Sequence, residues 1–410
     1  MLLVGIDWAD DHHDAVIMDE PGNILEAFRF AHDLDGFDQL HQSIRRYEEL
    51  PAHVLVAIET KHGLLVHDLV RSKYCVYALN PKAVSRYKDR LRAASTKDDK
   101  LDAKTLANVL RTDRHMHRPL ELAEDDYRLL ERLCNDLNVV INDITRLSNR
   151  MLDCLKEHYP AAVGAFGMDS DIFFAFVTKY SAPEDIASLS LAEFKAFLRS
   201  NRYSVPAKAE QIFQHLKRRT PKADRVAAAA GKMKLKSLSE QLVVLRSTRK
   251  SYESEIKLLL DKLPEADIIS SLPGAGKRLV PEITALLGPN MSDAPKRFDQ
   301  AKAIVTLAGV APVTKQSGKH KSVNVRFACN RQMRRLVRHW AGSSINVSKW
   351  AKAFYDWHSK LQEGHETILR KLAAKWIKIA FYLWRTGQTY NEDIHVAALK
   401  QRGVPWAMAL

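Results

Sequence analysis

In the first part of the chain, apolar residues form short continuous runs that alternate with stretches of helical spacing. The runs Leu2–Trp8, His13–Met18 and Ile24–Phe30 predict a meander of three antiparallel strands. Helix, strand, helix and strand are then predicted over residues 36–50, 53–58, 63–73 and 75–79. This order of elements is that of the ribonuclease H-like α/β fold, which we expect over residues 1–115.

In the middle of the chain, 116–264, apolar residues recur at alternating steps of three and four. This spacing is typical of a coiled-coil seam, formed either by a hairpin of two helices or with a second subunit. The first series is Leu130, Leu133, Leu137, Val140, Ile144, Leu147, Met151 and Cys154, and the second is Leu235, Leu238, Leu242, Leu245, Tyr252, Ile256, Leu259 and Leu263. Between them, a helical insertion at 159–230 is rich in Lys and Arg. A solvated basic face and a nucleic-acid contact explain that insertion equally well.

From residue 265 to 385 the pattern predicts a mainly helical domain, followed by a tail at 386–410. Its first two helices are joined by the turn Ser270–Lys277, which resembles a helix-hairpin-helix connection. In such turns glycines allow backbone N–H groups to approach a phosphate closely, so Gly274, Gly276 and Lys277 are candidate nucleic-acid contacts. The alternative is a tight helix connection without a ligand.

The distribution of charge favours a polyanionic partner. The net charge is +14, and cations that neutralise phosphates release condensed counterions. No Asp or Glu occurs between Asp299 and Asp356, whereas a solvated face would mix both signs. The cations in that stretch are Lys302, Lys315, Lys319, Lys321, Arg326, Arg331, Arg334, Arg335, Arg338, Lys349 and Lys352. We therefore predict that it binds phosphates.

Other features exclude several classes of protein. The four cysteines, Cys75, Cys134, Cys154 and Cys329, form no CxxC pair and indicate neither a zinc site nor a disulfide framework. His12, His13 and His62 are interpreted as exposed residues rather than metal ligands. The N-terminus lacks a signal peptide pattern, and no apolar run is long enough to span a bilayer. We expect a cytoplasmic protein without a membrane partner.

Four carboxylates form the first candidate site. Asp7 ends the first strand and Glu59 follows the fourth, and these strands are neighbours in a ribonuclease H-like sheet. Asp99 and Asp102 are three residues apart and therefore lie on one face of the next helix. Carboxylate oxygens suit Mg²⁺, with Mn²⁺ as the alternative ion. Asp98 could replace Asp99, and each acid taken singly could be a cap or a turn residue.

Ser317 is the second candidate. It occupies the predicted loop Gly309–Lys319, where Gly318 permits close approach of the backbone and neighbouring cations could stabilise charge on a phosphate. A serine in such a loop is usually a turn residue, so its spacing alone does not indicate catalysis.

The motifs GIDWA, AIET, KDDKLDA, SLPGAGK, LAGVAPVTKQSGK and CNRQMRRL together resemble the insertion-sequence-110 family of transposases. This family includes pilin-gene invertases and a group guided by a structured RNA. The resemblance covers residues 1–115 and 265–345. It implies a RuvC-like domain whose DEDD metal site is Asp7, Glu59, Asp99 and Asp102, and a transposase domain whose nucleophile is Ser317. Two departures are Asp98, where the family commonly has Thr, and the long middle region.

These observations predict a DNA transposase or site-specific recombinase that cuts and rejoins strands through a phosphoserine intermediate with Mg²⁺. Its expected partners are donor and target DNA, a guide RNA, and further copies of itself in a homodimer or tetramer. One alternative is a Mg²⁺-dependent junction-resolving nuclease that uses water as its nucleophile. The other is a non-catalytic nucleic-acid-binding protein.

Overall fold

The computed structural model describes residues 1–91, 99–120, 124–221, 223–289, 298–317, 320–408 and 410. The chain divides into two compact units, Met1–Leu122 and Ala123–Leu410. The first boundary therefore lies a few residues beyond the predicted end of the N-terminal domain. The middle helices belong to the same unit as the C-terminal region.

The first unit contains a five-stranded mixed sheet with two pairs of helices. Its elements are β1 (Leu2–Trp8), β2 (His12–Met18), β3 (Ile24–Ala31), α1 (Leu34–Arg45), β4 (Val54–Ile58), α2 (Leu64–Arg71), β5 (Cys75–Ala78), α3 (Pro81–Leu91) and α4 (Asp99–Asp113). The strand order is β3-β2-β1-β4-β5. The first three strands are antiparallel, whereas β4 runs parallel to both β1 and β5. The predicted α/β domain and its meander are confirmed.

Alternate residues of β1 enter separate hydrophobic clusters, because successive side chains of a strand point to opposite faces of a sheet. Leu2, Val4 and Ile6 lie in the cluster that includes residues of α1 and α2. Leu3, on the opposite face, lies in the cluster that includes Leu106 of α4. Both faces of the sheet are thus covered, which explains the continuous apolar run in β1.

Helix α4 lies directly against the backbone of β1 at Gly5. A Cβ atom added to Gly5 would be 1.9 Å from the carbonyl oxygen of Ala103 and 2.5 Å from the amide nitrogen of Ala107. Both are backbone atoms of α4, so the helix itself would have to move. The glycine therefore allows this helix to lie close to the strand that carries Asp7.

We expect Gly5→Ala to lower the free energy of unfolding by about 3 kcal/mol or more, since overpacking commonly costs about 1–3 kcal/mol. Denaturant titration measures this change. Gly167→Ala is the control, because a Cβ there would meet no atom within 4 Å. A Gly5→Ala protein as stable as the wild type would contradict the close contact.

In the residues that the structure describes, the second unit is helical apart from one β-hairpin. Its elements are α5 (Asp125–His158), α6 (Asp171–Lys179), α7 (Pro183–Ala187), α8 (Leu191–Ser200), α9 (Ala209–Leu216), α10 (Arg225–Leu260), α11 (Glu265–Ser270), α12 (Leu279–Leu287), α13 (Ala301–Leu307), β6 (Val313–Ser317), β7 (His320–Asn324), α14 (Arg331–Ser344), α15 (Lys349–Lys360), α16 (His365–Thr386) and α17 (Glu392–Gln401). None of its described helices, nor any in the first unit, is long and apolar enough to cross a membrane.

The two long helices, α5 and α10, pack against each other within the chain. Leu130 of α5 shares a buried cluster with Leu259 of α10, and Met151 of α5 shares another with Leu235 of α10. The helices are therefore antiparallel. Of the two pairings that the repeat predicts, the structure contains the hairpin within one chain, while pairing with a second subunit stays a prediction.

The insertion between these helices has a hydrophobic core of its own. Helices α6, α8 and α9 surround Phe176, Phe194 and Phe213, and this core also includes Met151 of α5 and Leu235 of α10. We call residues 159–242, with the adjoining end of α5, the insertion lobe. The predicted helical insertion is thus a packed part of the second unit.

The last segment of the C-terminal region differs from its prediction. Residues 386–410, interpreted as a tail, include α17 and a short 3-10 helix, and they bury Leu399, Trp406 and Ala407 in the same core as Trp350 and Trp376. The segment packs because its apolar residues cover that tryptophan cluster.

Candidate active site

Asp7 and Glu59 emerge from adjacent parallel strands. The β1–β4 register pairs Ile6 with Ile58, so each acid follows the last paired residue of its strand. Side chains two residues apart in a strand lie on the same face, so Asp7 lies on the face of Leu3 and Glu59 on the face of Ala57. Leu3 and Ala57 both belong to the cluster that α4 covers. The structure thus places both predicted acids at the same end of the sheet.

The third predicted element is α4, which begins at Asp99. Asp102 is half-buried and precedes Ala103, the residue in contact with Gly5 of β1. Asp98 and the side chain of Asp99 lie outside the part of the chain that the structure describes. Among the described residues, no group of three or more His, Cys, Asp or Glu side chains could hold a metal ion. The four-acid metal site therefore stays a prediction.

One acid beside Asp7 was missed by the sequence analysis. Asp14 of β2 pairs directly with Asp7 in the antiparallel register and is only 5% exposed. Arg29 of β3 holds it with two hydrogen bonds, from Nε to Oδ1 at 3.1 Å and from Nη2 to Oδ2 at 2.7 Å. The guanidinium balances the charge of Asp14. The strand alternation would have revealed this position only once the register was known.

His13 was predicted to be exposed, and this was wrong, because the residue is only 1% exposed. The backbone N–H of Ala9 donates to Nδ1 at 3.3 Å, and Nε2 lies 2.7 Å from Nδ1 of His32. Burial, together with the nearby His32 and His12, lowers the pKa of His13 to about 4. His13 is therefore a neutral residue that links the β1–β2 turn to the end of β3, and it pairs with Trp8.

Ser317 is the last residue of β6, at the tip of the β6–β7 hairpin, where it pairs with His320. The sequence analysis predicted a loop. The strand forms because Val313 and Thr314 have β-branched side chains that favour it and pair with residues of β7. Residues 318–319 and the side chains of Lys315, Ser317 and Lys321 lie outside the described part of the chain, so the chemistry of this hairpin stays a prediction.

The predicted arginines of α14 line one cleft of about 610 Å³, facing the start of α16. Arg331, Arg334, Arg335 and Arg338 recur at steps of three, one and three, which brings them to one side of the helix. Other lining residues include His339, Ser343, Asn346, His365 and Glu366. The cleft is thus rich in donors that suit phosphate oxygens.

These arginines do not have the same surroundings. Arg334 is half-buried and donates a hydrogen bond to the carbonyl oxygen of Arg326. Arg338 forms an ion pair with Glu366. Arg331 and Arg335 are exposed, and Arg335 makes only a distant pair with Glu282, at 4.0 Å between Nη2 and Oε2. Arg331 and Arg335 are consequently the better candidates for contact with a ligand.

The predicted turn between α11 and α12 is present, but packing within the protein explains its first glycine. Gly274 has φ +77°, and a Cβ there would be 2.6 Å from the amide nitrogen of Ser344. Close packing on α14 therefore explains this glycine without a ligand. Gly276 faces open space and Lys277 is exposed. These two remain candidates for a phosphate contact.

An apolar strip that the sequence analysis did not select lies beside the hairpin. Val323, Val325 and Phe327 are exposed, and Phe327 is 86% exposed. An exposed phenylalanine within a basic segment can stack on an unpaired base. The signal in the sequence was the alternation of apolar residues among cations, although burial in a core would have produced the same pattern.

Comparison with known proteins identifies two matching family models. One, for DEDD transposases related to IS110, matches residues 4–160, and the other, described as the transposase IS116/IS110/IS902 family, matches residues 266–356. A protein of Streptomyces coelicolor, named as a mini-circle transposase for IS117, is 30% identical over 98% of each chain. The 43.6 kDa protein of insertion element IS110 from the same organism is 26% identical, covering 82% of this chain and 83% of its own. The pilin gene-inverting protein of Moraxella lacunata is 23% identical over 35% of this chain and 45% of its own.

Proposed function

Because this chain belongs to the IS110 family of transposases, we propose that it moves or inverts DNA segments through a covalent phosphoserine intermediate. Enzymes of this family cut and rejoin DNA. The observation that most supports an active enzyme is the pairing of β1 with β4, which brings Asp7 and Glu59 to one end of the sheet. The arginine cleft of the second unit supports contact with nucleic acid.

In the proposed reaction, the hydroxyl oxygen of Ser317 attacks a DNA phosphorus atom. A bond forms between that oxygen and phosphorus, and the bond from phosphorus to one sugar oxygen breaks, leaving a hydroxyl on the DNA strand. The hydroxyl of a second strand then attacks the phosphoserine, restores a phosphodiester and releases the serine. The energy of the broken bond is kept in the intermediate, so rejoining needs no nucleotide hydrolysis.

Asp7, Glu59, Asp99 and Asp102 are the residues that would hold Mg²⁺, or Mn²⁺ in its place. Such an ion would polarise the phosphate and stabilise the leaving oxygen. The donor chemistry fits, because all four are carboxylates, and hard cations prefer oxygen ligands. Asp14 is a buried acid paired with Asp7 in the sheet, and its ion pair with Arg29 neutralises its charge. We therefore propose that Asp14 helps to position Asp7 and is not itself a metal ligand.

The basic stretch between Asp299 and Asp356 is the proposed nucleic-acid surface, and the proposal includes Arg326, Arg338 and the cations of the β6–β7 hairpin. Gly276 and Lys277 would add a contact at the α11–α12 turn. We propose that these groups bind both the DNA and a structured guide RNA. Assembly as a homodimer or tetramer would bring two DNA segments together for exchange.

We expect Arg331→Glu with Arg335→Glu to weaken DNA binding by about tenfold or more, which corresponds to about 1.4 kcal/mol. Charge reversal at two contacts replaces attraction to phosphate by repulsion. Binding is measured by fluorescence anisotropy at several salt concentrations, where the wild type should bind less tightly as salt rises. Arg334 is left unchanged, because its hydrogen bond to Arg326 is structural.

The control pair is Lys250→Glu with Lys257→Glu, two exposed residues of α10 outside the basic stretch. This pair makes the same change in net charge. Equal binding by the two double variants would contradict a role for the arginine cleft.

A further inference from the structure

The insertion lobe contains a second concentration of positive charge. Residues 195–236 include twelve Lys or Arg and two acids, Glu210 and Asp224, in a chain whose net charge is +14. The density of positive charge in this segment is comparable to that in the stretch between Asp299 and Asp356. The segment lies between the ranges of the two family models, 4–160 and 266–356, so neither model covers it.

Most of the described cations in this segment form no ion pair. Asp224 caps α10, where its carboxylate accepts hydrogen bonds from the amides of Val226 and Ala227. Lys232 pairs with Asp185 at 3.6 Å, and Lys217 donates to the carbonyl of Ala187. Nine other described cations are exposed and form no ion pair: Lys195, Arg199, Arg202, Lys208, Arg218, Arg219, Arg225, Lys234 and Lys236. Like charges at this density repel one another, and a polyanion would relieve that repulsion.

The aromatic residues of the lobe indicate which polyanion suits it. Phe166, Phe174, Phe197 and their aromatic neighbours face the core, and Tyr203 packs edge-on against Phe166. None of the exposed large hydrophobic residues in the described part of the lobe is aromatic. Proteins that bind unpaired strands stack bases on exposed aromatic rings, and this lobe presents none. Its surface suits the phosphate backbone of a duplex.

We propose that the insertion lobe is a second DNA-binding site, which holds duplex DNA by its phosphates without reading its sequence. The lobe shares no residue with the sites proposed for strand cleavage and metal binding. Duplex DNA is favoured over RNA because the family's enzymes act on DNA. The lobe would add a contact with donor or target DNA outside the exchange site.

The test uses the full chain without divalent metal, so that neither cleavage nor the carboxylate site affects the result. Two variants remove lobe charge: Arg218→Glu with Arg219→Glu, and Lys234→Glu with Lys236→Glu. Anisotropy with a labelled duplex of unrelated sequence should show about tenfold or greater loss of affinity for each. The slope of log affinity against log salt should fall by about 0.9 for each mutated residue that contacts a phosphate.

The control pair Lys250→Glu with Lys257→Glu lies on the same helix, α10, beyond the lobe. We expect it to change the affinity less than about twofold, because exposed charges beyond about 10 Å are screened at 0.1 M salt. Thermal unfolding checks that every variant is folded. Lys234→Gln with Lys236→Gln provides a milder pair if charge reversal unfolds the lobe, and it should show the same reduction in slope.

Equal affinities of the lobe variants and the control pair would overturn the proposal. A loss confined to single-stranded DNA or to duplex RNA would overturn the choice of duplex DNA. Retained binding by Ser317→Ala protein, together with lost binding by the lobe variants, would support the lobe even if the serine mechanism were wrong.

Discussion

Ser317→Ala should abolish covalent protein–DNA adducts and reduce recombination on the order of 10⁴-fold or more, as expected when the nucleophile of a covalent mechanism is removed. Affinity for DNA should stay within about twofold of the wild type, because a single hydroxyl contributes little beside many phosphate contacts. Adducts are measured by denaturing electrophoresis of labelled DNA after incubation with purified protein. Recombination is measured on a plasmid that carries both ends of the element.

Ser322→Ala is the matched control for this experiment. Ser322 lies on the other strand of the same hairpin, is exposed and accepts a hydrogen bond from Asn324 at 3.1 Å. Its loss should leave adduct formation intact. Full recombination by Ser317→Ala would contradict the serine mechanism and favour the junction-resolving nuclease, in which water is the nucleophile.

The second large effect is expected at the carboxylates. Asp7→Asn, Glu59→Gln and Asp102→Asn should each reduce strand cleavage by about 10³-fold or more, because loss of a ligand removes several kcal/mol of charge stabilisation by the ion. Each variant should also bind Mg²⁺ or Mn²⁺ more weakly in calorimetric titration. Wild-type cleavage should stop in EDTA and return when Mg²⁺ is restored.

Asp38→Asn serves as the control for these variants. Asp38 is exposed on α1, the helix whose apolar residues lie in the cluster on the opposite face from α4. It should cleave DNA and bind metal as the wild type does. Cleavage that continues in EDTA would refute the metal requirement. Unchanged metal affinity in all three site variants would instead reject these acids as ligands.

Much of the first unit could be predicted from the sequence. The apolar runs beginning at Leu2 and Ile24 located strands within about a residue of their observed bounds, because burial of a sheet leaves a local pattern. The order of strands and helices also predicted that Asp7 and Glu59 would be neighbours. The structure confirms their adjacent strands, since Ile6 pairs with Ile58.

The stretch of Lys and Arg without any Asp or Glu was also a local feature of the sequence, and it identified the arginines of α14 as candidates. It could not separate Arg331 from Arg334, because both are cations in one basic run. The structure directs Arg334 towards the carbonyl of Arg326 and leaves Arg331 exposed. Gly309 leaves room for the Arg334 guanidinium, because a Cβ at that position would be 2.5 Å from Nη2 of Arg334.

The sequence by itself therefore determined most elements of the first unit, the candidate acids and the basic segments, since backbone preference, one-sided burial and charge are local properties. Only the tertiary structure decided the pairing of Asp14 with Arg29, the burial of His13 and the contact of α4 at Gly5. It also decided that the repeats form a hairpin within one chain. Each of these depends on which distant segments pack together. The periodicity of apolar residues indicates that a face is buried, but it does not indicate which segment covers that face.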